Sequence, residues 1–168
     1  NLGFIHGVMN TDNMSLAGET LDYGPCAFMD EWNPETVFSS IDHNGRYAYG
    51  RQPSIGLWNL QRLSEALLQL LHPDEKEGLR RAQQLAEFYQ SEFQVYWLKS
   101  LGEKIGLSEV RDGDPEFIFE LLDVMQKTRS DFSQIFIHLS DGESALGKLE
   151  QIPEFGPWLS RWRNRLST

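Results

Sequence analysis

From about residue 55 onward the apolar residues of this chain recur at helical spacing, and that regularity disfavours a sheet-based fold for most of its length. Trp58, Leu60, Leu63, Leu67, Leu70 and Leu71 form the first series. His72-Pro73-Asp74 interrupts it, because proline biases its predecessor away from helix and Asp74 can cap the next one. Leu79, Ala82, Leu85, Ala86, Tyr89, Phe93, Tyr96, Trp97 and Leu101 then hold the period, predicting one long amphipathic helix to about residue 105. Asp114-Pro115-Glu116 reads as a cap with proline at the first helical position, opening a helix that buries Phe117, Leu121, Leu122 and Met125. Shorter helices are expected from Asp131 to Leu139 and near Ser144 to Leu149. A last one, after Pro153, carries Phe155, Trp158, Leu159, Trp162 and Leu166. The acidic residues at Asp74-Glu75 and Asp112 to Asp114 fit solvated helix starts, where the helix dipole favours negative charge. The Trp and Tyr residues at helical spacing fit a core or a lobe interface, not a cofactor box.

Residues 1–54 have another character. Met14-Ser15-Leu16 and Thr20-Leu21 flank Ala17-Gly18-Glu19, which predicts a short β-hairpin closed off by Gly24-Pro25. Asn33-Pro34, Asn44-Gly45 and Gln52-Pro53 predict an irregular stretch over 31–54, and long loops in compact domains tend to be functional. The expected architecture is therefore mostly α: a short N-terminal β-hairpin and loop region over 1–54, then a helical bundle over 55–168.

Charge narrows the partners. With 25 acidic against 15 basic residues the net charge is −10. Nucleic acid and anionic membranes both demand a Lys/Arg excess, so neither is expected as a partner. Cys26 is the one cysteine, which excludes an internal disulfide and fits a reducing compartment. It suits a small buried residue better than a nucleophile. No apolar run is long enough to cross a bilayer. The opening Asn1-Leu2-Gly3-Phe4-Ile5-His6, with its dense polar motifs close behind, reads as a chain cut inside a larger fold.

The chemistry concentrates in His6-Gly7-Val8-Met9-Asn10-Thr11-Asp12-Asn13-Met14, followed by Thr20-Leu21-Asp22-Tyr23-Gly24. Mg²⁺ takes one or two protein oxygens together with substrate phosphates and water. The Asn13 amide and the Asp22 carboxylate are such donors, a hairpin between them would bring them together, and Gly24 permits a sharp turn just beyond. Protein kinases follow this layout, with a loop running from His through Asp to Asn and then a hairpin and an Asp-Phe-Gly triplet. The kinase proton acceptor has no counterpart: its position is Val8, which accepts no proton. Asp12 and Asn10 are the nearest polar residues. Taken singly, Asp12, Asn13 and Asp22 are also ordinary turn formers. His6 fits a role in holding backbone, and Tyr23 a packed ring. Asp30, Asp42, His43 and Arg46 fit either a hydrogen-bonded loop or contacts to a protein substrate.

Several strings, in order and spacing, resemble the selenoprotein O family: Asn10-Thr11-Asp12-Asn13-Met14-Ser15, Asp22-Tyr23-Gly24-Pro25, Phe28-Met29-Asp30, Asp42-His43-Asn44-Gly45-Arg46-Tyr47, Gln52-Pro53 and Trp58-Asn59-Leu60. The resemblance is densest over 4–60. It implies the C-terminal lobe of a kinase-like, pseudokinase fold that binds ATP in an inverted orientation. It further implies transfer of AMP to hydroxyl side chains of proteins with Mg²⁺ or Mn²⁺. By motif position Asn13 and Asp22 would bind the metal, Asp22 also the nucleotide, and Asp12 would accept the proton. The family's nucleotide-binding lobe precedes the matched region, so the chain alone is expected neither to bind ATP tightly nor to catalyse transfer. The family's C-terminal selenocysteine or cysteine lies outside this sequence, so redox control does not carry over to Cys26. The setting implied is bacterial cytoplasm, or mitochondria in a eukaryote. The competing readings are a phosphotransferase, against which Val8 argues, and a non-catalytic pseudokinase that leaves Asn13 and Asp22 idle.

Overall fold

The computed structural model of the chain describes residues 2–19 and 23–167. Two strands, β1 (Phe4–Ile5) and β2 (Ala27–Phe28), pair in a two-stranded sheet, and the remaining regular structure is helical. The helices are α1 (Gln52–Ala66), α2 (Leu68–Leu71), α3 (Glu75–Lys104), α4 (Asp114–Thr128), α5 (Phe132–Ser140), α6 (Glu143–Glu150) and α7 (Gly156–Leu166). Helices occupy every region predicted from the apolar period and the chain is mostly α as expected, but the first helix, read as continuous to Leu71, starts at Gln52 and breaks at Leu67 into α1 and α2. The chain divides into two compact units. One comprises residues 4–27 and 34–95; the other comprises the residues up to Gly3, 28–33 and those from Tyr96 onward.

The second unit is a helical bundle with an aromatic centre. The Trp158 ring stacks on Phe117 at 4.7 Å and on Trp162 at 6.1 Å. Indole N–H groups need acceptors when buried. That of Trp158 donates to the Phe117 carbonyl (2.9 Å), and that of Trp162 to the Ile105 carbonyl (2.7 Å). Ile118, Leu121, Leu122, Met125, Phe132, Phe155 and Leu159 fill the space around them. Phe117, expected buried, is only half-buried; Ile118 takes the inward position one residue on. The Asp131 side chain caps α5 by accepting from the Gln134 amide (2.7 Å).

Asp114 departs from expectation. It is not a solvated cap: Gly113 is the cap residue, with φ of 88°, and Asp114 is the first helical residue and is buried. Its carboxylate takes both forks of the Arg165 guanidinium at 2.9 Å and the Arg111 amide at 2.7 Å. Bonding to Arg165, ahead of any other cause, holds its pKa below the usual carboxylate range. Asp74 does behave as read, accepting from the Glu77 amide at 2.9 Å to start α3.

In the first unit the expected hairpin is not seen at its first strand. Met14–Leu16 runs into an open turn in which the Gly18 amide donates to the Ser15 carbonyl (3.1 Å). An isolated ribbon needs an apolar face to bury. Leu16 is 82% exposed, and Met14 turns its sulfur to Asn59 on α1, so that face is missing. Thr20 and Leu21, the expected second strand, lie outside the described residues, as does Asp22. Tyr23, read as packed, is exposed, touching Phe4 edge-on; Cys26, read as buried, is half-buried. The long amphipathic helix is present, but Leu79, Leu85 and Tyr96 are exposed, because among the described residues nothing covers that stripe.

Candidate functional site

The loop from Ile5 to Asn13 is built by main-chain turns and pinned by side-chain amides. Ile5 is buried and anchors β1. Gly7 then adopts φ of 86°, and a Cβ there would lie 2.8 Å from the Phe38 ring, so only glycine fits without strain. Next to it the His6 imidazole holds backbone as read: its Nδ1 accepts from the Val8 amide at 3.4 Å, the long end of hydrogen-bonding range. Thr11–Asn13 form a short 3-10 turn, closed by the Asn13 amide donating to the Asn10 carbonyl (3.0 Å).

Asp12 and Asn13 are thus presented side by side on an exposed turn. The Asn13 Nδ2 donates to the Val8 carbonyl at 3.0 Å, which orients the amide and leaves Oδ1 without a hydrogen bond among the described residues. The Asp12 carboxylate is likewise unengaged among them. A carboxamide oxygen and a carboxylate are the hard donors that Mg²⁺ or Mn²⁺ favours. Among the described residues there is no group of three or more His, Cys, Asp or Glu able to hold a metal. By donor chemistry alone, the Asn13 carboxamide oxygen suits an ion that takes one or two protein oxygens and completes its shell with phosphate and water. Asp22, the expected carboxylate partner, lies outside the described residues, and its distance from Asn13 is not defined.

Three struts reach this loop from the rest of its unit. The Gln52 carboxamide at the start of α1 accepts from the His6 amide and donates to the Phe4 carbonyl, both at 2.9 Å. The Asn59 Nδ2, buried on the same helix, donates to the Met9 carbonyl at 2.9 Å. The Tyr47 hydroxyl donates to Asn10 Oδ1 at 2.5 Å. Tyr47 is itself held by Asp42, whose two oxygens accept from the Arg46 and Tyr47 amides at 2.8 Å. Of the two readings given for Asp42, the hydrogen-bonded loop is the observed one. Arg46 extends over the rings of Tyr47 (5.6 Å) and Trp58 (5.0 Å), and Arg62 also approaches Trp58 (5.2 Å). Gln52 and Asn59 were not among the candidate functional residues read from sequence. The signal was an amide recurring on the otherwise apolar inward face of α1.

Comparison with known proteins agrees with the motif strings. The family model described as protein adenylyltransferase SelO matches residues 1–154. Similar curated proteins include protein nucleotidyltransferase YdiU of Rhizobium etli, 51% identical over 99% of this chain and 35% of the relative. YdiU of Geobacillus kaustophilus is 49% identical over 99% of the chain and 34% of its own length. That of Halalkalibacterium halodurans is 50% identical over 98% and 34%. The chain thus spans about a third of the length of the curated relatives it matches.

Proposed function

The chain belongs to the SelO family of protein adenylyltransferases, and on that premise we propose that it is the metal-holding part of an enzyme that transfers AMP from ATP to Ser, Thr or Tyr hydroxyls of proteins. Its two units then correspond to parts of a kinase-like C-terminal lobe. By motif position Asn13 Oδ1 and the Asp22 carboxylate would hold Mg²⁺ or Mn²⁺, and Asp22 would also bind the nucleotide. The bound ion supplies neutralisation of phosphate charge. The hydroxyl oxygen bonds to the α-phosphorus, the α–β bridging P–O bond breaks, pyrophosphate leaves, and the hydroxyl proton passes to the Asp12 carboxylate.

The observation that supports this reading best is the bond from Asn13 Nδ2 to the Val8 carbonyl. It uses the donor end of the amide internally and turns the acceptor end outward, as a metal ligand requires. Val8 itself brings no proton acceptor, which leaves Asp12 as the acidic residue on that turn. A bacterial cytoplasmic setting fits the relatives. Among the described residues, no helix is long and apolar enough to cross a membrane. Because the chain covers only about a third of its relatives, the activity is assigned to a protein of their length, and the chain alone is expected to be inactive.

The test is Asp22→Ala in the full-length protein, assayed by intact mass of a protein substrate. AMP addition by the unsubstituted enzyme and a drop of about 100-fold or more in the variant are expected, the scale of losing an electrostatic contact to the reacting phosphate. Phosphate addition in place of AMP, or an unchanged variant, removes the assignment.

A further inference from the structure

We propose that Gln52 and Asn59 are positioning residues that set the metal-binding geometry of Asn13, an inference that rests on the function proposed above. Two turns of helix separate them, so they occupy one face of α1, with buried Ile55 and Gly56 between them. Gln52 imitates a neighbouring strand. Its amide pairs with an acceptor and a donor, the Phe4 carbonyl and the His6 amide, on alternate residues of the loop. Asn59 holds the far end of the same stretch at the Met9 carbonyl. One rigid helix thereby fixes both ends of residues 4–9.

The helix is itself fixed. A Cβ on Gly56 would lie 2.7 Å from the Tyr89 hydroxyl, and that hydroxyl donates to the Pro53 carbonyl at 3.2 Å, so α1 and α3 are in close contact. Downstream, the Val8 carbonyl that orients Asn13 is the immediate neighbour of Met9. A shift at Met9 therefore changes the direction in which Asn13 Oδ1 points.

The balance of costs at Asn59 supports positioning over plain stability. Its Oδ1 is buried with no hydrogen-bond partner, an arrangement that weakens a fold. An apolar side chain of similar size in its place removes that orphan, so Asn59→Leu is expected to keep the fold while releasing Met9.

The experiment uses the full-length enzyme with Gln52→Glu, which still accepts from His6 but no longer donates to Phe4, and with Asn59→Leu. Four quantities are measured: kcat and KM for ATP, the Mn²⁺ concentration at half-maximal rate, the thermal midpoint, and amide hydrogen exchange at Val8 and Asn13. Loss of groups that orient a metal ligand typically costs about 10- to 100-fold in metal affinity or activity. A fall of that size in kcat or Mn²⁺ affinity is expected, with KM for ATP within about twofold and faster exchange at Asn13. The midpoint of Asn59→Leu is expected to be unchanged. Unchanged kinetics with unchanged exchange overturn the proposal. Faster exchange with kcat and Mn²⁺ response both unaltered also overturns it, since the amides would then hold the loop without acting on Asn13. If both variants lose their fold, Gln52→Met serves as the apolar isostere, and its collapse as well assigns the bonds to stability alone. An unsubstituted enzyme that transfers no AMP defeats the functional reading, yet direct Mn²⁺ titration and the exchange rates still decide the role of the two amides.

Discussion

The two units of this chain put their polar groups to opposite uses. In the bundle that starts at Tyr96, polar atoms finish the packing: indole N–H groups close on carbonyls, and Asp114 is buried only because Arg165 and the Arg111 amide surround its carboxylate. In the unit that carries the His6–Asn13 loop, carboxamides replace packing. Gln52, Asn59 and Asn13 hold the main chain at Phe4, His6, Val8 and Met9 by directional bonds, while Asp12 stays open on an exposed turn. A scaffold excludes water through shape, whereas a site that must admit a charged ligand is held by directional bonds.

Substitutions in each unit can break or sharpen that contrast. The largest effect is expected from Trp158→Ala, which empties the stacked aromatic centre and should cost about 3–5 kcal/mol in denaturant unfolding. A loss under about 1 kcal/mol would show that packing is not what holds the bundle. Next comes Asp114→Asn, which removes the charge from Arg165 and should cost about 1.5–3 kcal/mol near neutral pH. Asp114 has a folded pKa below its unfolded value of about 3.9, so its contribution is complete above that pH and disappears as pH falls through the folded value. Stability curves of the parent and the variant should therefore converge in acid; a constant gap down to about pH 2 would remove the linkage. The smallest effect is expected for Leu70→Gln, a position 82% exposed, where the change should stay within about 0.5 kcal/mol. A larger loss there would mean that Leu70 is packed in solution.

The helices were legible because their signals are local and repeated. Asp74 and Asp131 sit at caps, Pro115 at a first turn, and Leu121, Leu122 and Met125 on one buried face, so several independent cues agree. The order of the motif strings likewise carried the family. The hairpin over Met14–Leu16 was misread because alternation predicts a strand only where one face is buried, and Leu16 has no such face. Strands β1 and β2 were not anticipated, since two residues apiece are too short for any period to show. Asp114 was misjudged for a different reason: its partner, Arg165, is remote in sequence, and no local rule links them. The loop supports Gln52 and Asn59 shared that difficulty, as their acceptors lie far back along the chain.

Of the five tryptophans, only Trp58 belongs to the unit with the His6–Asn13 loop. It is 37% exposed between the cations of Arg46 and Arg62, whereas Trp32, Trp158 and Trp162 are buried in the bundle. The molecule therefore carries its own optical label. A soluble collisional quencher should dim the Trp58 share of the fluorescence first, giving a readout of the loop-bearing half without any attached dye.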